Sequence, residues 1–524
     1  MVTTVAMAHP VINPGKSIKF PYRDRYNLYL CLKAGLSLAL VCVPVVAQSA
    51  DWDATARLAL SEIYSDNIRL SVGDEEHESI TTITPGLSLT GRGAGLKLGL
   101  DYSMQNIFYA HNPDQNRTNH QLRANEQAEL VKDLFYFDSS ASISQQLTNP
   151  GDSFSQDNLS LSGQRDDVVT LQVEPYLKRT LGSYAVAELR YLHGWVGYDA
   201  TGVSDAETST ASGYLANGRA ATHWNWRLGY RQQRDIRDTG PDSERRSSDG
   251  MIRYRMIDTL SLVGYAGREE NDIQTSNLSA DGTYWSAGFT WTPGPKFSLE
   301  ATTGENYDQA QLSWNPSSRT SVNIGYSDRD VGLNTAVSWS GQISHRTRRS
   351  TWAFDYSEAV TNTQQLVFTG EFEGDVEFDD LGNIKISNIT PNFDSTDEEF
   401  LRARAQGSVS YKTGKSNISL QVYNELRTFE VSGDELASEG GSISWRWQFA
   451  SRTSSTMSVN GQRFDVSDSS DRRQSMTSKI SLARTLNSRM NTRLELSRYE
   501  ADTDNSGSQK IIENRIGAYL NMSF

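Results

Sequence analysis

The chain has 524 residues, 37% of them hydrophobic, with a mean hydropathy of −0.55 and a formal net charge of −14. Beyond the N-terminal region no apolar run reaches the roughly twenty residues of a spanning helix, which excludes a bundle of membrane-spanning helices. The acidic balance also disfavours nucleic acid as a partner, because a phosphate backbone binds basic surfaces.

The N-terminus has the layout of a secretory signal peptide. Five basic residues between positions 16 and 33 precede an apolar stretch at 34–43, and positions 45–47 suit a signal peptidase. We therefore predict a cleaved signal peptide at 1–47 and a single domain at 48–524. Cleavage would change the formal net charge from −14 to −18, because it also removes one acidic residue, Asp24.

Both cysteines, Cys31 and Cys42, lie in the segment that is removed. The mature chain would then have no disulfide, thiolate metal site or cysteine nucleophile. Proteins that cross an oxidising periplasm unfolded are usually poor in cysteine, because stray thiols pair wrongly there.

From residue 53 onwards, short segments alternate apolar and polar residues, as strands do when one face meets an apolar medium and the other meets water. In 224–231, large apolar residues occupy the even positions and Asn, Arg, Gly and Arg the odd ones. The pattern predicts about 24 strands, within a range of about 22–26. We place them near 53–68, 80–90, 96–110, 119–130, 135–147, 166–180, 184–198, 212–221, 224–236, 246–256, 260–270, 282–292, 296–304, 308–315, 319–329, 335–346, 351–363, 400–412, 417–428, 440–449, 453–465, 475–486, 490–501 and 513–524.

The connections between these segments alternate between short and long. Tight turns such as 91–95 and 181–183 are followed by loops such as 148–165 and 199–211. Short periplasmic turns and long extracellular loops are the known asymmetry of outer-membrane barrels, whereas a soluble sandwich has no reason to sort its loops. We therefore predict an all-β protein, a transmembrane antiparallel β-barrel in the bacterial cell outer membrane, and take outer-membrane lipid as its surroundings.

The longest connection, 364–399, is acidic. Six carboxylates lie between positions 371 and 380, and 379–383 reads as a turn before an apolar segment at 384–387. This pattern predicts an extra hairpin that stands outside the barrel or folds into its mouth as a gate. The oxygen-rich spacing suits a loose Ca²⁺ site, but no complete EF-type loop is present, and we favour a solvated loop.

The last strand ends on a phenylalanine with apolar residues at every second position before it. Such an end resembles the C-terminal strand of outer-membrane barrels, which the barrel-assembly machinery reads. We predict that one face both completes the lipid-facing wall and carries this assembly signal: Ile516, Ala518, Leu520, Met522 and Phe524.

Arginines recur on the face of the strands that we assign to the lumen. Rings of basic side chains select for anions, so the set would suit an anionic polymer. The other interpretation, which we favour, is that these arginines pair with lumenal carboxylates such as Glu174, Glu188, Glu300, Glu425 and Glu495. The arginines are Arg227, Arg231, Arg253, Arg255, Arg402, Arg404 and Arg446, together with Arg493 and Arg515.

The sequence shows no catalytic or cofactor motif. The histidines form no HxH or HExxH pair, and the glycine-rich 91–95 joins two strands rather than a strand and a helix. We predict a protein that is not an enzyme and that has no metal or cofactor site. An outer-membrane phospholipase or protease is the alternative, since a Ser/His/Asp set can be assembled from any serine-rich chain.

Residues 55–146 resemble a known family, the outer-membrane barrel proteins associated with the PEP-CTERM/exosortase system. That family opens on an "ETYTDN" strand and continues with "TPGISL…GRGARL…LDYS". The matching segments here are LSEIYSDNI at 60–68, ITPGLSL at 83–89, GRG at 91–93, LGLDYS at 98–103, ELVKDLFYFD at 129–138 and SQQ at 144–146. The resemblance implies an association with exopolysaccharide production and PEP-CTERM protein sorting, and it supplies no catalytic residues.

The predicted barrel and this resemblance lead to two hypotheses about function. The first is a passive conduit or accessory for exopolysaccharide export, with exopolysaccharide or periplasmic export components as partners. The second is a non-conducting structural barrel whose loops anchor surface or matrix components.

Overall fold

The computed structural model describes residues 50–147, 157–162, 165–199, 204–238, 242–273, 279–333, 335, 337–362, 376–378, 384–386, 399–429, 433–466, 472–503 and 509–524. All of them belong to one compact unit, Val45–Phe524. The predicted signal peptide at 1–47 and most of the loop at 364–399 lie outside the described residues.

Strands make up most of the described chain. The other regular element is a 3₁₀ turn at Pro113–Gln115, and no described helix has the length and apolarity to cross a membrane. In chain order the strands are β1 (Asp51–Ser65), β2 (Glu78–Arg92), β3 (Leu96–Tyr109), β4 (Arg117–Val131), β5 (Phe135–Leu147), β6 (Arg165–Leu181), β7 (Ala185–Tyr198), β8 (Ala206–Asn217), β9 (Trp224–Arg237), β10 (Ser243–Ile257), β11 (Leu260–Ile273), β12 (Ser279–Ala280), β13 (Gly282–Gly294), β14 (Phe297–Glu305), β15 (Tyr307–Ser317), β16 (Thr320–Arg329), β17 (Gly332–Leu333), β18 (Val337–Arg346), β19 (Ser350–Asn362), β20 (Val376–Phe378), β21 (Ile384–Ile386), β22 (Glu399–Lys412), β23 (Ser416–Phe429), β24 (Glu435–Ala450), β25 (Thr453–Val466), β26 (Arg472–Asn487), β27 (Met490–Thr503) and β28 (Gln509–Ser523).

Twenty-four of these strands form one closed antiparallel sheet. Each pairs with its neighbours in sequence, and β1 pairs with β28, from Arg57 opposite Ser523 to Ser65 opposite Arg515. Closure leaves no free strand edge in the wall, so every backbone polar group at membrane depth has a partner. The predicted fold class is confirmed: the chain is a 24-stranded antiparallel barrel of the bacterial outer membrane.

The four short strands stand apart from the barrel sheet. β12 pairs with β17, and β20 pairs with β21 from Val376 opposite Ile386 to Phe378 opposite Ile384. The β20–β21 pair is the hairpin that the sequence predicts within the acidic loop.

One strand is misplaced by the sequence analysis. The prediction near 212–221 corresponds to β8, which begins at Ala206 and ends at Asn217. Its first residues are small and polar without apolar alternation, which hides the strand. Just after its end, the Gly218 amide donates to the Tyr184 carbonyl, and a Cβ at Gly218 would lie 2.3 Å from the Ser183 carbonyl oxygen. Only glycine permits this approach of the two turns.

Outward and inward residues alternate along the strands, as in other transmembrane barrels. The outward face carries large side chains that are exposed on the isolated chain, for example Leu189 at 62% and Leu494 at 56%. Every tryptophan lies on this face: Trp52, Trp195, Trp224, Trp226, Trp285, Trp291, Trp314, Trp339, Trp352, Trp445 and Trp447.

Many tryptophans lie beside the short turns, as in the aromatic belts of outer-membrane barrels at the membrane boundary. Trp224, Trp352 and Trp447 are exposed there, at 51%, 51% and 45%. Phe137, which lies beside another short turn, is only 7% exposed, because it packs in a cluster with Leu96 and Ala128.

Candidate functional site in the barrel lumen

The inward face is lined with polar and charged side chains, and its aromatic residues are mostly tyrosines. Tyrosine suits this position because its ring packs on the wall while its hydroxyl group finds a polar partner. The inward tyrosines are Tyr109, Tyr136, Tyr176, Tyr198, Tyr214, Tyr265, Tyr284, Tyr307, Tyr423, Tyr499 and Tyr519.

Two of the predicted lumenal arginines, Arg402 and Arg404, converge on one carboxylate, Glu425. Their nitrogens lie 2.9 and 2.8 Å from Glu425 Oε2, and Arg427 lies 2.6 Å from Oε1. The Glu425 side chain is fully buried and that of Arg427 is 2% exposed. Removing the carboxylate or the buried guanidinium group of Arg427 would leave a buried charge unpaired, which is strongly destabilising.

A second network surrounds Glu300 on a different part of the wall. Arg253 Nη2 donates to Glu300 Oε2 at 2.6 Å, and the Tyr265 hydroxyl donates to Oε1 at 2.5 Å. Thr290 and Gln309 supply further hydrogen bonds at 2.8 and 3.2 Å. For Arg253, Arg402 and Arg404 the structure therefore shows the ion pairs with lumenal carboxylates that we favoured from the sequence.

The other predicted arginines are not drawn into these networks. Arg227 lies over the Tyr214 ring at 5.0 Å, and Arg231 donates to Gln233 at 3.2 Å. Arg255 and Arg446 occupy inward positions on β10 and β24 by the strand register. The nine predicted arginines lie on β9, β10, β22, β24, β27 and β28 and are thus spread around the lumen rather than gathered in one ring.

In the extracellular half of the lumen, two opposite walls are in apolar contact. Val168, Val196 and Ala206 belong to β6, β7 and β8, and they form one buried cluster with three residues of β22–β24: Phe400, Phe429 and Leu436. These two groups of strands lie on opposite sides of the ring. Phe400 is 1% exposed, and Val168 and Val196 are fully buried. We call these six residues the seam.

An ion pair crosses the lumen beside the seam. Arg245 on β10 bonds Glu399 on β22, and these strands are not neighbours in the ring. Arg245 also lies 4.0 Å from Asp235, and the side chains of all three residues are 5–13% exposed. The seam and this ion pair together join walls that the hydrogen-bond ladder does not join.

A segment of the β5–β6 connection, residues 157–162, folds inward and fills the lumen next to β1–β3 and β28. Leu159 is 7% exposed and packs with Ile63, Ile68, Ile80 and Ile107. The Leu161 amide donates to the Ile68 carbonyl at 3.0 Å. We call residues 157–162 the inward segment.

Arginines of the wall anchor the inward segment. Arg515 on the last strand donates to Asp157 at 2.7 Å and to the Ser160 hydroxyl at 2.9 Å. Arg117 donates to the carbonyl groups of Asn158 and Ser160 at 2.6 and 3.2 Å. These bonds hold the segment by charge as well as by apolar packing.

The charge of Asp157 is stabilised in place. Burial raises the pKa of this carboxyl group, but the positive charges of Arg515, Lys479 and Arg165 and a hydrogen bond from the Leu159 amide outweigh burial. The net result is a pKa below its usual value, so Asp157 is an anion at neutral pH. The Arg515–Asp157 ion pair therefore persists under physiological conditions.

The periplasmic half of the lumen is more open. A cavity of about 860 Å³ lies against the inner wall of β2–β7. It is lined by charged and amide side chains, including Arg92, Lys97, Gln127, Asp138 and Glu174. The lumen thus combines a polar cavity in its periplasmic half with contacts between opposite walls in its extracellular half.

Sequence reasoning missed three elements of this site. Arg427 escapes notice although it lies two residues after Glu425 and so on the same face of the strand, a signal that the sequence did contain. The seam and the inward segment leave no comparable signal, because their contacts join residues that are far apart in the chain.

No protein-family model matches the sequence, and no curated protein matches it. Solved structures of outer-membrane proteins are similar to the chain. The ferric enterobactin receptor PfeA of Pseudomonas aeruginosa, in a mutant form bound to enterobactin, is 9% identical, with 91% of this chain and 82% of that chain covered and a TM-score of 0.47. The FrpB iron transporter of Neisseria meningitidis is 10% identical, with coverage of 93% and 84% and a TM-score of 0.43. A loop-deletion mutant of OmpT of Vibrio cholerae is 8% identical, with coverage of 91% and 100% and a TM-score of 0.33.

Proposed function

We propose that this barrel is a gated conduit that carries a polar polymer across the outer membrane and is closed in the state described here. The observation that carries the proposal is the contrast between the two halves of the lumen. The periplasmic half holds a polar cavity, while in the extracellular half six apolar side chains and one short segment occupy the lumen. A closure made of side chains and a connection can open without breaking the strand ladder.

The polymer is an exopolysaccharide in this proposal. Its support is the resemblance of residues 55–146 to the barrels of the PEP-CTERM/exosortase system, together with the hydrogen-bonding groups and tyrosines of the inner wall. A hydroxyl-rich chain exchanges hydrogen bonds with such a wall at little cost, because donors and acceptors are both present.

The competing function is a non-conducting barrel that anchors surface or matrix components. The closed extracellular half favours it, since a permanent closure has no use in a conduit. The two functions differ in one property, which is whether weakening the seam opens a path for ions.

Planar-bilayer recording of a seam variant tests the proposal. We expect the variant that combines Phe400→Ala with Phe429→Ala to pass at least about five times the current of the wild type. Both substitutions remove a ring from the buried contact between opposite walls. The matched control is Phe354→Ala with Phe449→Ala, since these two phenylalanines face lipid and are 43% and 41% exposed. A folded seam variant that stays as silent as the control contradicts the conduit and supports the anchor.

Deletion of the gene tests the polymer. A conduit for exopolysaccharide predicts polymer trapped in the periplasm, detected by fractionation and sugar analysis. Normal surface polysaccharide in the deletion strain would remove this part of the proposal while leaving the bilayer result intact.

A further inference from the structure

The periplasmic cavity has an arrangement of charge that the conduit function does not require. Cross-strand partners form a row across five adjacent strands, β2 to β6, in the order Arg92, Lys97, Gln127, Asp138 and Glu174. Cations therefore occupy one end of the cavity, carboxylates the other, and an amide the middle. All five residues line the cavity.

The cationic end is unfavourable in the empty barrel. Arg92 and Lys97 lie directly opposite each other, and like charges in that position destabilise a sheet. Among the described residues, neither side chain has an ion pair or a side-chain hydrogen bond. Asp51 lies opposite Arg92 on β1 but forms no ion pair with it. An anionic group bound between the two cations would remove their repulsion.

The rest of the cavity suits hydroxyl groups rather than a second anion. The next row towards the extracellular side holds Thr90, Gly99, Asn125, Ser140 and Gln172, which apart from glycine carry uncharged donors and acceptors. Asp138 and Glu174 accept hydrogen bonds from hydroxyl groups and repel a carboxylate. Glu174 is itself held by Arg190 at 3.2 Å, which fixes this end of the site.

We propose that this cavity binds an acidic sugar, with its carboxylate between Arg92 and Lys97 and its hydroxyl groups along Gln127, Asp138 and the neighbouring row. The volume of about 860 Å³ falls within the roughly 300–1,000 Å³ of small-molecule sites and accommodates more than one sugar ring. The inference rests on the proposed function and narrows it, because it makes the transported polymer an acidic polysaccharide that is engaged at the periplasmic entrance.

Isothermal titration calorimetry on the folded full barrel in detergent tests the site, with galacturonic acid, which carries one carboxylate, and the neutral galactose as probes. We expect the acidic sugar to bind at least about tenfold more tightly than the neutral one, since each charged hydrogen bond is worth a factor of this size. Arg92→Gln with Lys97→Gln should lower affinity for the acidic probe at least about tenfold and leave the neutral probe unchanged.

The matched control is Arg348→Gln, which removes an exposed arginine of the turn between β18 and β19, outside the cavity, and should leave both affinities unchanged. The double variant relieves a like-charge contact, so it should keep the heat-dependent gel mobility of the folded barrel. Equal binding of the two probes, or an unchanged affinity of the double variant for the acidic probe, overturns the proposal. If the acidic probe binds but the seam variant passes no current in bilayers, the conduit function is refuted while the sugar-binding site stands. The failure of one proposal can therefore be told from the failure of the other.

Discussion

Phe524 takes part in the closure of the barrel and, in our prediction, also carries part of the assembly signal. Its ring faces lipid and is 66% exposed on the isolated chain, and its amide donates to the Ala56 carbonyl at 2.9 Å across the β1–β28 closure. That backbone bond survives substitution. The residues that we predict to share the assembly signal, Ile516, Ala518, Leu520 and Met522, lie on the same outward face.

We predict that Phe524→Ala lowers insertion without weakening the inserted barrel. The lost ring is worth about 2–3 kcal/mol of apolar burial, which is modest for a closed ladder. If the ring is mainly a signal, the variant accumulates in the periplasm or is degraded, while the inserted fraction keeps the wild-type heat resistance on gels. Fractionation followed by gel mobility measures both quantities.

Phe449→Ala is the control for this prediction. It removes the same side chain from the same outward face near a short turn of β24, away from the C-terminus. Equal insertion of the Phe524 variant, the Phe449 variant and the wild type would show that the terminal ring carries no assembly signal.

The inward segment connects the β5–β6 loop to the inner wall of the barrel. Its apolar contact through Leu159 and its ionic contact through Asp157 act on different wall strands, so it ties β1–β3 to β28 inside the lumen. The inward segment and the seam lie against different strands, so release of either one would open its own part of the lumen. Its ionic contact depends on pH, whereas its apolar contact does not.

We predict that acidification loosens the inward segment. The pKa of Asp157 lies below its usual 3.8, so the stabilisation from its ionised form is fully present above that value and is lost as the pH falls through the lower, folded-state pKa. Bilayer current should therefore rise below about pH 4 and remain constant between roughly pH 5 and 8. Asp157→Asn should conduct at neutral pH and lose most of the acid response.

Asp114→Asn provides the comparison, because Asp114 is an exposed carboxylate in the extracellular 3₁₀ turn. It should keep the wild-type current and the wild-type acid response. An acid response of full size in Asp157→Asn would assign the response to another group and contradict this account of the segment.

Across the whole molecule, the tryptophans and the inward tyrosines lie in different surroundings. Tryptophans lie on the lipid face and inward tyrosines line the lumen, because an indole ring favours the membrane boundary whereas a phenol ring packs on a wall with its hydroxyl group hydrogen-bonded. This separation extends around the ring, from Trp52 on β1 to Trp447 on β24.

We predict that tryptophan fluorescence is quenched from the lipid and not from the lumen. Vesicles containing brominated acyl chains should remove most of the emission, and acrylamide in the aqueous phase should remove little of it. Unfolding the same sample in guanidinium should reverse the order. Strong acrylamide quenching of the folded barrel would place tryptophans in the lumen and contradict the assignment of the two faces.

Local sequence patterns were enough to predict the strands, their faces and the location. Period-two alternation is a local property that a few neighbouring residues reveal. About 24 such strands, joined alternately by short turns and long loops, predict a closed barrel, which is what the structure shows. The same parity placed Arg402, Arg404 and Glu425 on one inward face before any contact was known. Where alternation is absent, as in Ala206–Thr210 of β8, the prediction moved by several residues.

The closure of the extracellular half, by contrast, depends on contacts that exist only in the folded barrel. Val196 and Phe400 each look like ordinary strand residues, and their contact exists because β7 and β22 meet across the lumen of a ring whose curvature no local pattern encodes. Likewise, the sequence around Asp157 indicates only a loop carboxylate. Its partner Arg515 is 358 residues away in the chain and lies beside it only in the folded barrel. Contacts across a barrel join residues that are distant in sequence, so they require closure of the entire sheet.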